Sequence, residues 1–359
     1  MLNLNPYIVV GILPIFVVVI LSFILMYHLA SVGRRIHLVD RPDNRKRHTD
    51  SVPLVGGISI AIAVSLSAML APFGLAEFRY LFFCLGVLIV VGVLDDAQDT
   101  SPGIRFLAQF GVAAILVFWD GTIVTNIGDI FSWNDGNRQG LGSLAYPLTV
   151  LAIVGVINGF NMIDGHDGIA GLMTGLTFFG LAIMCYLAGE LNYLRLLLVI
   201  GSAITVFLIF NLPLLTSPKH QVFMGDAGAM FLGLLVAFFL IRMTQQQVPV
   251  IKPTVAIWFI GLPLLDMMVV IVRRLVRRKT LTSADRTHIH HLLMKVGLSK
   301  WSIIVVLGLT QAGFIFIGIV GHIQEISDQV LFWTPFAVLL VYMVLLSVIE
   351  RRGKHIVTS

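Results

Sequence analysis

"NGFNMIDGHDGIAG", from Asn158 to Gly171, lies where two apolar runs meet, one at 143–163 and one at 168–188. Each run is long enough to cross a bilayer. An aspartate at a bilayer centre costs roughly 3 kcal/mol on insertion scales, and this stretch holds two, Asp164 and Asp167. Such residues are functional candidates by default. The stretch is therefore read as the water-facing edge between two spans, and that reading sets the fold of everything around it.

The rest of the chain agrees. Of 359 residues, 57% are hydrophobic and only 12% charged, with a mean hydropathy of +0.94. A soluble protein of this size does not have that composition, so the class is an all-α polytopic membrane protein. Apolar runs of helix length fall at 7–30, 53–72, 79–94, 104–119, 143–163, 168–188, 192–215, 227–242, 253–275, 301–321 and 330–349. That predicts eleven transmembrane helices in one integral membrane domain, 1–359, with no soluble domain. The two cysteines, Cys84 and Cys185, lie in apolar runs. They provide neither a disulfide framework nor a cysteine zinc site. The opening "MLNLNPY" lacks a basic flank, so the first run reads as a retained helix rather than a cleaved signal.

An odd number of spans puts the termini on opposite sides. The loops on one side carry 19 Lys and Arg, and those on the other carry five. The positive-inside rule then places the N-terminus outside and the C-terminus in the cytoplasm. "LDDAQD" follows the third span, "DGHDG" the fifth and "ADRTHIHHLL" the ninth, while "FMGDAG" precedes the eighth. All four motifs land on the cytoplasmic face, where an active site is expected. The external segment 120–142 alternates apolar and polar residues near Thr122 to Ile127, which suggests a short hairpin.

The acids number 15 Asp against 4 Glu. Short carboxylates suit fixed geometry around a hard cation, although composition drift gives the same bias. In "VLDDAQD", Asp95 and Asp99 stand at i,i+4 and Asp96 and Asp99 at i,i+3 on a helix. Three like charges this close call for a cation or for protonation. A solvated helix end is the plainer reading, but the macrodipole disfavours acids at a helix C-terminus. Asp164 and Asp167, three apart, present together on one turn, with Gly159, Gly165 and Gly168 allowing close backbone approach. Asp226 opens the eighth span and has a ready structural role as a cap. Gly225 and Gly228 beside it would also let a phosphate reach backbone amides at a helix N-terminus. His288, His290 and His291 follow Arg286. They suit zinc, phosphate recognition, or merely a histidine-rich loop. Asp266, seven residues inside the basic end of the ninth span, reads as a helix–helix hydrogen bond and stays outside the site. Carboxylates for a hard divalent ion, cationic groups for anions and a membrane edge together suit phosphoryl transfer between a soluble donor and a lipid. No GxxxxGK[ST] string is present, which argues against ordinary ATP hydrolysis.

"RKRHTDSVPLVGGI", "LDDAQD", "NGFNMIDGHDG", "VFMGDAG" and "DRTHIHHLL" resemble, in order and spacing, the polyprenyl-phosphate N-acetylhexosamine-1-phosphate transferases. The "HIHH" arrangement is similar to the WecA-type branch, which uses UDP-GlcNAc and undecaprenyl phosphate. The sister type moves phospho-MurNAc-pentapeptide, and close relatives use QuiNAc, FucNAc or GalNAc donors. The resemblance implies a bacterial cytoplasmic (inner) membrane enzyme that transfers a sugar 1-phosphate to the lipid phosphate and releases UMP. That would be the first lipid-linked step of O-antigen or enterobacterial common antigen-type polysaccharide synthesis. By motif match, Asp95 and Asp96 handle the lipid phosphate, one of them as its base, and Asp164 is the nearest candidate for a covalent nucleophile. Asp167 and Asp226 match positions for Mg²⁺ or Mn²⁺. Asn211 and Phe223 fall where relatives hold uracil. Lys46, Arg286, His288, His290 and His291 look like phosphate and donor-sugar contacts. A homodimer is a family expectation, and no nucleic-acid partner is implied. Two departures stand out. Relatives often carry Lys soon after the Asp doublet, whereas "DTSPGIR" offers no basic residue before Arg105. The middle of "DGHDG" is commonly aliphatic, and here it is His166.

Three rivals share parts of the pattern. "DDAQD" is a DDxxD string, as in transmembrane prenyltransferases, which need a second Asp-rich motif and no histidine loop. An intramembrane aspartyl protease would want GxGD, and "FMGD" lacks its first glycine. A transporter would place its charges near the midplane, whereas here most cluster on one face.

Overall fold

The computed structural model describes residues 6–40, 51–70, 75–98, 100–131, 140–164, 168–212, 215–276, 278 and 288–357. The chain is helical almost throughout: α1 (Pro6–Arg35), α2 (Gly56–Ala68), α3 (Arg79–Gln98), α4 (Pro102–Ile115), α5 (Ala145–Ile163), α6 (Ile169–Ala188), α7 (Leu191–Asn211), α8 (Gly225–Thr244), α9 (Pro253–Phe259), α10 (Gly261–Val276), α11 (Ile289–Lys295), α12 (Lys300–Ile323) and α13 (Asp328–Val357). A two-stranded antiparallel pair, β1 (Val39–Asp40) with β2 (Val52–Pro53), closes the loop after α1. Helix ends follow local chemistry. Pro102 and Pro253 open α4 and α9 at the first turn, where a missing N–H costs nothing. Gly168 and Gly189 flank α6 in the left-handed region. Ser299 Oγ accepts from the Ser302 N–H at the start of α12.

Helix α8 is the hub. Nearly all its residues are buried, Phe231, Phe238 and Phe239 among them, and α2, α3, α5, α6 and α9 pack on it. A helix apolar all round belongs in a core. The outer helices turn Phe16, Leu107, Phe316 and Leu340 outward, as lipid-facing surfaces do.

Among the described residues, eight helices are long and apolar enough to cross a membrane, and α9 with α10 makes a ninth if the bent pair counts as one span. The second predicted span falls on a shorter apolar helix, Gly56–Ala68, and the eleventh, 330–349, lies within α13 (Asp328–Val357). At 1.5 Å per residue, thirteen residues reach only about 20 Å, short of a hydrocarbon core of about 30 Å.

The predicted ninth span is not straight: it breaks by 81° between α9 and α10. Pro263 explains the break. It has no N–H to give the carbonyl four residues back, at Phe259, and its ring crowds that carbonyl. Thr177 Oγ1 (2.8 Å) and Gln311 Nε2 (2.7 Å) donate to the freed Phe259 oxygen instead. Gln311 Oε1 accepts from the Leu262 N–H at 3.0 Å. Two polar side chains thus satisfy the backbone where water cannot.

The external hairpin is reduced to one antiparallel bridge among the described residues, Asn126 with Gly140. Gln245 holds that segment, accepting from the Thr125 and Asn126 amides at 3.0 and 3.2 Å.

Candidate active site

Glycines build the site. A Cβ on Gly57 would lie 2.1 Å from the Gly228 Cα, and one on Gly92 would lie 2.2 Å from the Ala227 Cα. Only hydrogen at these positions lets α2 and α3 reach the backbone of α8. The segment before α8 is threaded in the same way. The Phe223 N–H donates to the Pro53 oxygen (2.8 Å), the Gly56 N–H to the Phe223 oxygen (2.9 Å) and the Gly57 N–H to the Met224 oxygen (3.0 Å). "VPLVGGI" and "VFMGDAG" are therefore neighbours in space, far apart as they are in sequence.

This packing brings three acids together. Asp95, near the end of α3, is buried. Its Oδ1 accepts from Thr100 Oγ1 (2.6 Å) and its Oδ2 from Arg105 Nη1 (2.8 Å). The same Arg105 Nη1 reaches Asp226 Oδ2 at 3.2 Å. Asp96 turns the other way: its carboxylate accepts from the Asp226 N–H (2.8 Å) and the Ala227 N–H (3.3 Å), the first amides of α8. The adverse dipole at the end of α3 is offset by the favourable one at the start of α8. A side chain on Gly225, where φ is +73°, would fall 2.5 Å from Asp96 Oδ2, so glycine is required there twice over.

Two expectations change. Asp226 does not cap α8, whose N-cap is Met224 with no side-chain bond. Its carboxylate instead faces Arg105 and Asp95. The Asp226 and Ala227 amides are taken by Asp96, and Gly228 packs against Gly57.

Arg105 is the residue that sequence reading undervalued. In the first turns of α4, after Pro102, it reaches back to Asp95 and across to Asp226. Its signal was that it is the first cation after the doublet.

Asn211 ends α7, buried, and donates through Nδ2 to the Val222 oxygen at 2.7 Å. Its Oδ1 is buried with no partner among the described residues. The bond to Val222 places Asn211 beside the segment that carries Phe223. Asp164 is the half-buried C-cap of α5. In the same motif, Asn158 Nδ2 donates to Gln109 Oε1 (2.6 Å), and Gln109 Nε2 contacts Met230 Sδ (3.4 Å). That tie joins α5, α4 and α8.

The histidines form a second group. His288 is the N-cap of α11 and is buried, as is His290. The His288 and His290 rings are stacked 5.8 Å apart and 5° from parallel, and His291 lies 4.2 Å from His290. Asp266 holds this group. Its Oδ2 lies 2.7 Å from His288 Nδ1, and its Oδ1 accepts from the Ile289 N–H (3.0 Å) and the Tyr342 hydroxyl (3.3 Å). The expected helix–helix bond exists, through Tyr342, and the same carboxylate also meets His288 and the start of α11.

Lys46, Asp99, His166, Asp167 and Arg286 lie outside the described residues. Among those described, no group of three or more His, Cys, Asp and Glu has metal-holding geometry. Asp95 and Asp226 meeting at one guanidinium, with Asp96 bound to the adjacent backbone, are nonetheless the donor chemistry that suits a hard divalent cation.

Residues 78–244 match the family described as Glycosyl transferase family 4. The chain is 32% identical over 333 residues to the undecaprenyl-phosphate alpha-N-acetylglucosaminyl 1-phosphate transferase of Yersinia pestis, covering 92% of this chain and 89% of that one. The protein of the same name from Escherichia coli (strain K12) is 31% identical, over 91% and 88% of the two chains. The one from Haemophilus influenzae (strain ATCC 51907 / DSM 11121 / KW20 / Rd) is 32% identical, over 92% of each.

Proposed function

The chain belongs to glycosyl transferase family 4, and on that premise we propose that it transfers N-acetylglucosamine 1-phosphate from UDP-GlcNAc to undecaprenyl phosphate, releasing UMP. The observation that carries this reading is the Asp95–Arg105–Asp226 group at the head of the buried hub helix. Carboxylates and a guanidinium at a helix end fit the handling of phosphates beside a membrane. In the reaction, an oxygen of the lipid phosphate bonds to the phosphorus that bears the sugar. The bond from that phosphorus to the bridging oxygen breaks, and UMP leaves with that oxygen. The lipid phosphate is already an anion near neutral pH, so positioning and charge carry most of the rate.

Asp95 and Asp96 orient the lipid phosphate, with Arg105 as the adjacent cation. Asn211 Oδ1 is an acceptor free to meet the N3–H of uracil, and Phe223 lies beside it. His288, His290, His291 and Arg286 meet the donor's sugar and diphosphate. Asp226 and Asp167 are the residues that would hold Mg²⁺ or Mn²⁺, which when bound offsets charge on the diphosphate. The site faces the cytoplasm of a bacterial inner membrane, with the N-terminus outside and the C-terminus cytoplasmic.

The test is UMP release by purified protein given undecaprenyl phosphate, Mg²⁺ and a panel of UDP-N-acetylhexosamines. Release with UDP-GlcNAc is expected, abolished by EDTA and lowered at least about 10²-fold in Asp226→Ala. Release with a different sugar alone would reassign the donor. No UMP from any donor, in folded protein, would remove the transferase reading.

A further inference from the structure

A carboxylate in a membrane helix is costly and needs a reason. Asp266 is 1% exposed, on α10 beyond the 81° bend. Its two oxygens meet three groups: His288 Nδ1, the Ile289 N–H and the Tyr342 hydroxyl. An ionised carboxylate can only accept. The contact at 2.7 Å therefore requires the proton on His288 Nδ1 and turns Nε2 away from the carboxylate. The Ile289 N–H is the first amide of α11, so the same carboxylate fixes both the ring of His288 and the start of the helix that carries His290 and His291. Helix α11 has seven residues, too few to hold its own orientation.

We propose that Asp266 is a positioning residue of the transferase site: it sets the tautomer of His288, presenting Nε2 to the donor, and locks the histidine helix onto α10. The inference rests on the transferase reading. Asp266 itself touches no substrate and acts through His288. The bend at Pro263 belongs to the same device, because it sets the direction of the helix that delivers Asp266.

Asp266→Asn keeps the size of the side chain and an oxygen for Ile289 and Tyr342. It turns an N–H₂ toward Nδ1, which must then accept, and the proton moves to Nε2. UMP release measured as kcat/KM is expected to fall about 10²-fold, in protein whose thermal unfolding is close to wild type. His288→Ala should fall to a similar level, and the double variant no more than about threefold further, because the two residues act as one unit. Effects that multiply, or an Asp266→Asn enzyme at wild-type rate, would overturn the proposal.

Nitrogen-15 NMR of histidine-labelled wild-type protein, with the signal assigned by its loss in His288→Ala, gives a readout that needs no turnover. A protonated Nδ1 is expected, and an unprotonated Nδ1 sinks the proposal even where Asp266→Asn does not fold. Absence of UMP release by the wild type would count against the transferase reading instead, leaving the tautomer to decide the role of Asp266.

Discussion

Arg105 shares one guanidinium nitrogen between Asp95, at 2.8 Å, and Asp226, at 3.2 Å. Without it, two carboxylates would face each other, and the Asp95 side chain is almost wholly out of water. Arg105→Ala is expected to lower the thermal unfolding temperature in EDTA, and Mg²⁺ should raise that temperature more for the variant than for the wild type. An equal Mg²⁺ response would show that guanidinium and cation do not serve the same carboxylates. Arg105→Lys should recover only part of the loss, since an ammonium is a point charge without the fork geometry. The composition of this site was readable in the sequence. The doublet, Asp226 and the histidines all announced themselves as polar residues in an apolar chain. The division of labour was not. Asp95 and Asp96 are adjacent in sequence, yet one meets Arg105 and the other the backbone of α8. Neighbouring positions on a helix point about 100° apart, and only the packing of α8 says what each of them meets.

At the scale of elements, helices were legible because twenty apolar residues in lipid have no other way to satisfy their backbone. The break in the ninth span was not. "FIGLPLLD" contains the glycine and proline that permit a bend, but a kinked and a broken helix use the same signal. What decides between them is a partner for the released groups, and Gln311 lies about fifty residues away, on α12. Gln311→Leu, nearly isosteric, removes both of its bonds and leaves the Leu262 N–H buried without a partner. The cost is expected to be about 1–3 kcal/mol, seen as a lower unfolding temperature in detergent. An unchanged temperature would mean that Thr177 alone suffices at the bend. The short helix α2 has a similar lesson. Nothing local marks Gly57 as the contact point that presses α2 onto Gly228 of α8.

At the scale of the molecule, the proposed orientation has a direct test. Val248 is 83% exposed in the segment between α8 and α9, proposed to lie outside, and Lys219 is exposed between α7 and α8, proposed to lie in the cytoplasm. Val248→Cys should react with a membrane-impermeant maleimide in intact cells, and Lys219→Cys only after permeabilisation. The native Cys84 and Cys185 are fully buried, so they give little background. The reverse pattern would invert the topology.

The sequence by itself determined the class, the helical character and the family, and it singled out the polar residues proposed for the site. These follow from composition, from periodicity and from motifs whose chemistry is local: an acid in lipid, a glycine pair, a row of histidines. Tertiary structure decided which of those residues meet. The close approach of α2, α3 and α8 at Gly57, Gly92 and Gly228, the return of Arg105 onto two acids and the tie from Asp266 to His288 all join residues distant in the chain. Their energies depend on burial and on distances of a few ångströms, which no local pattern records.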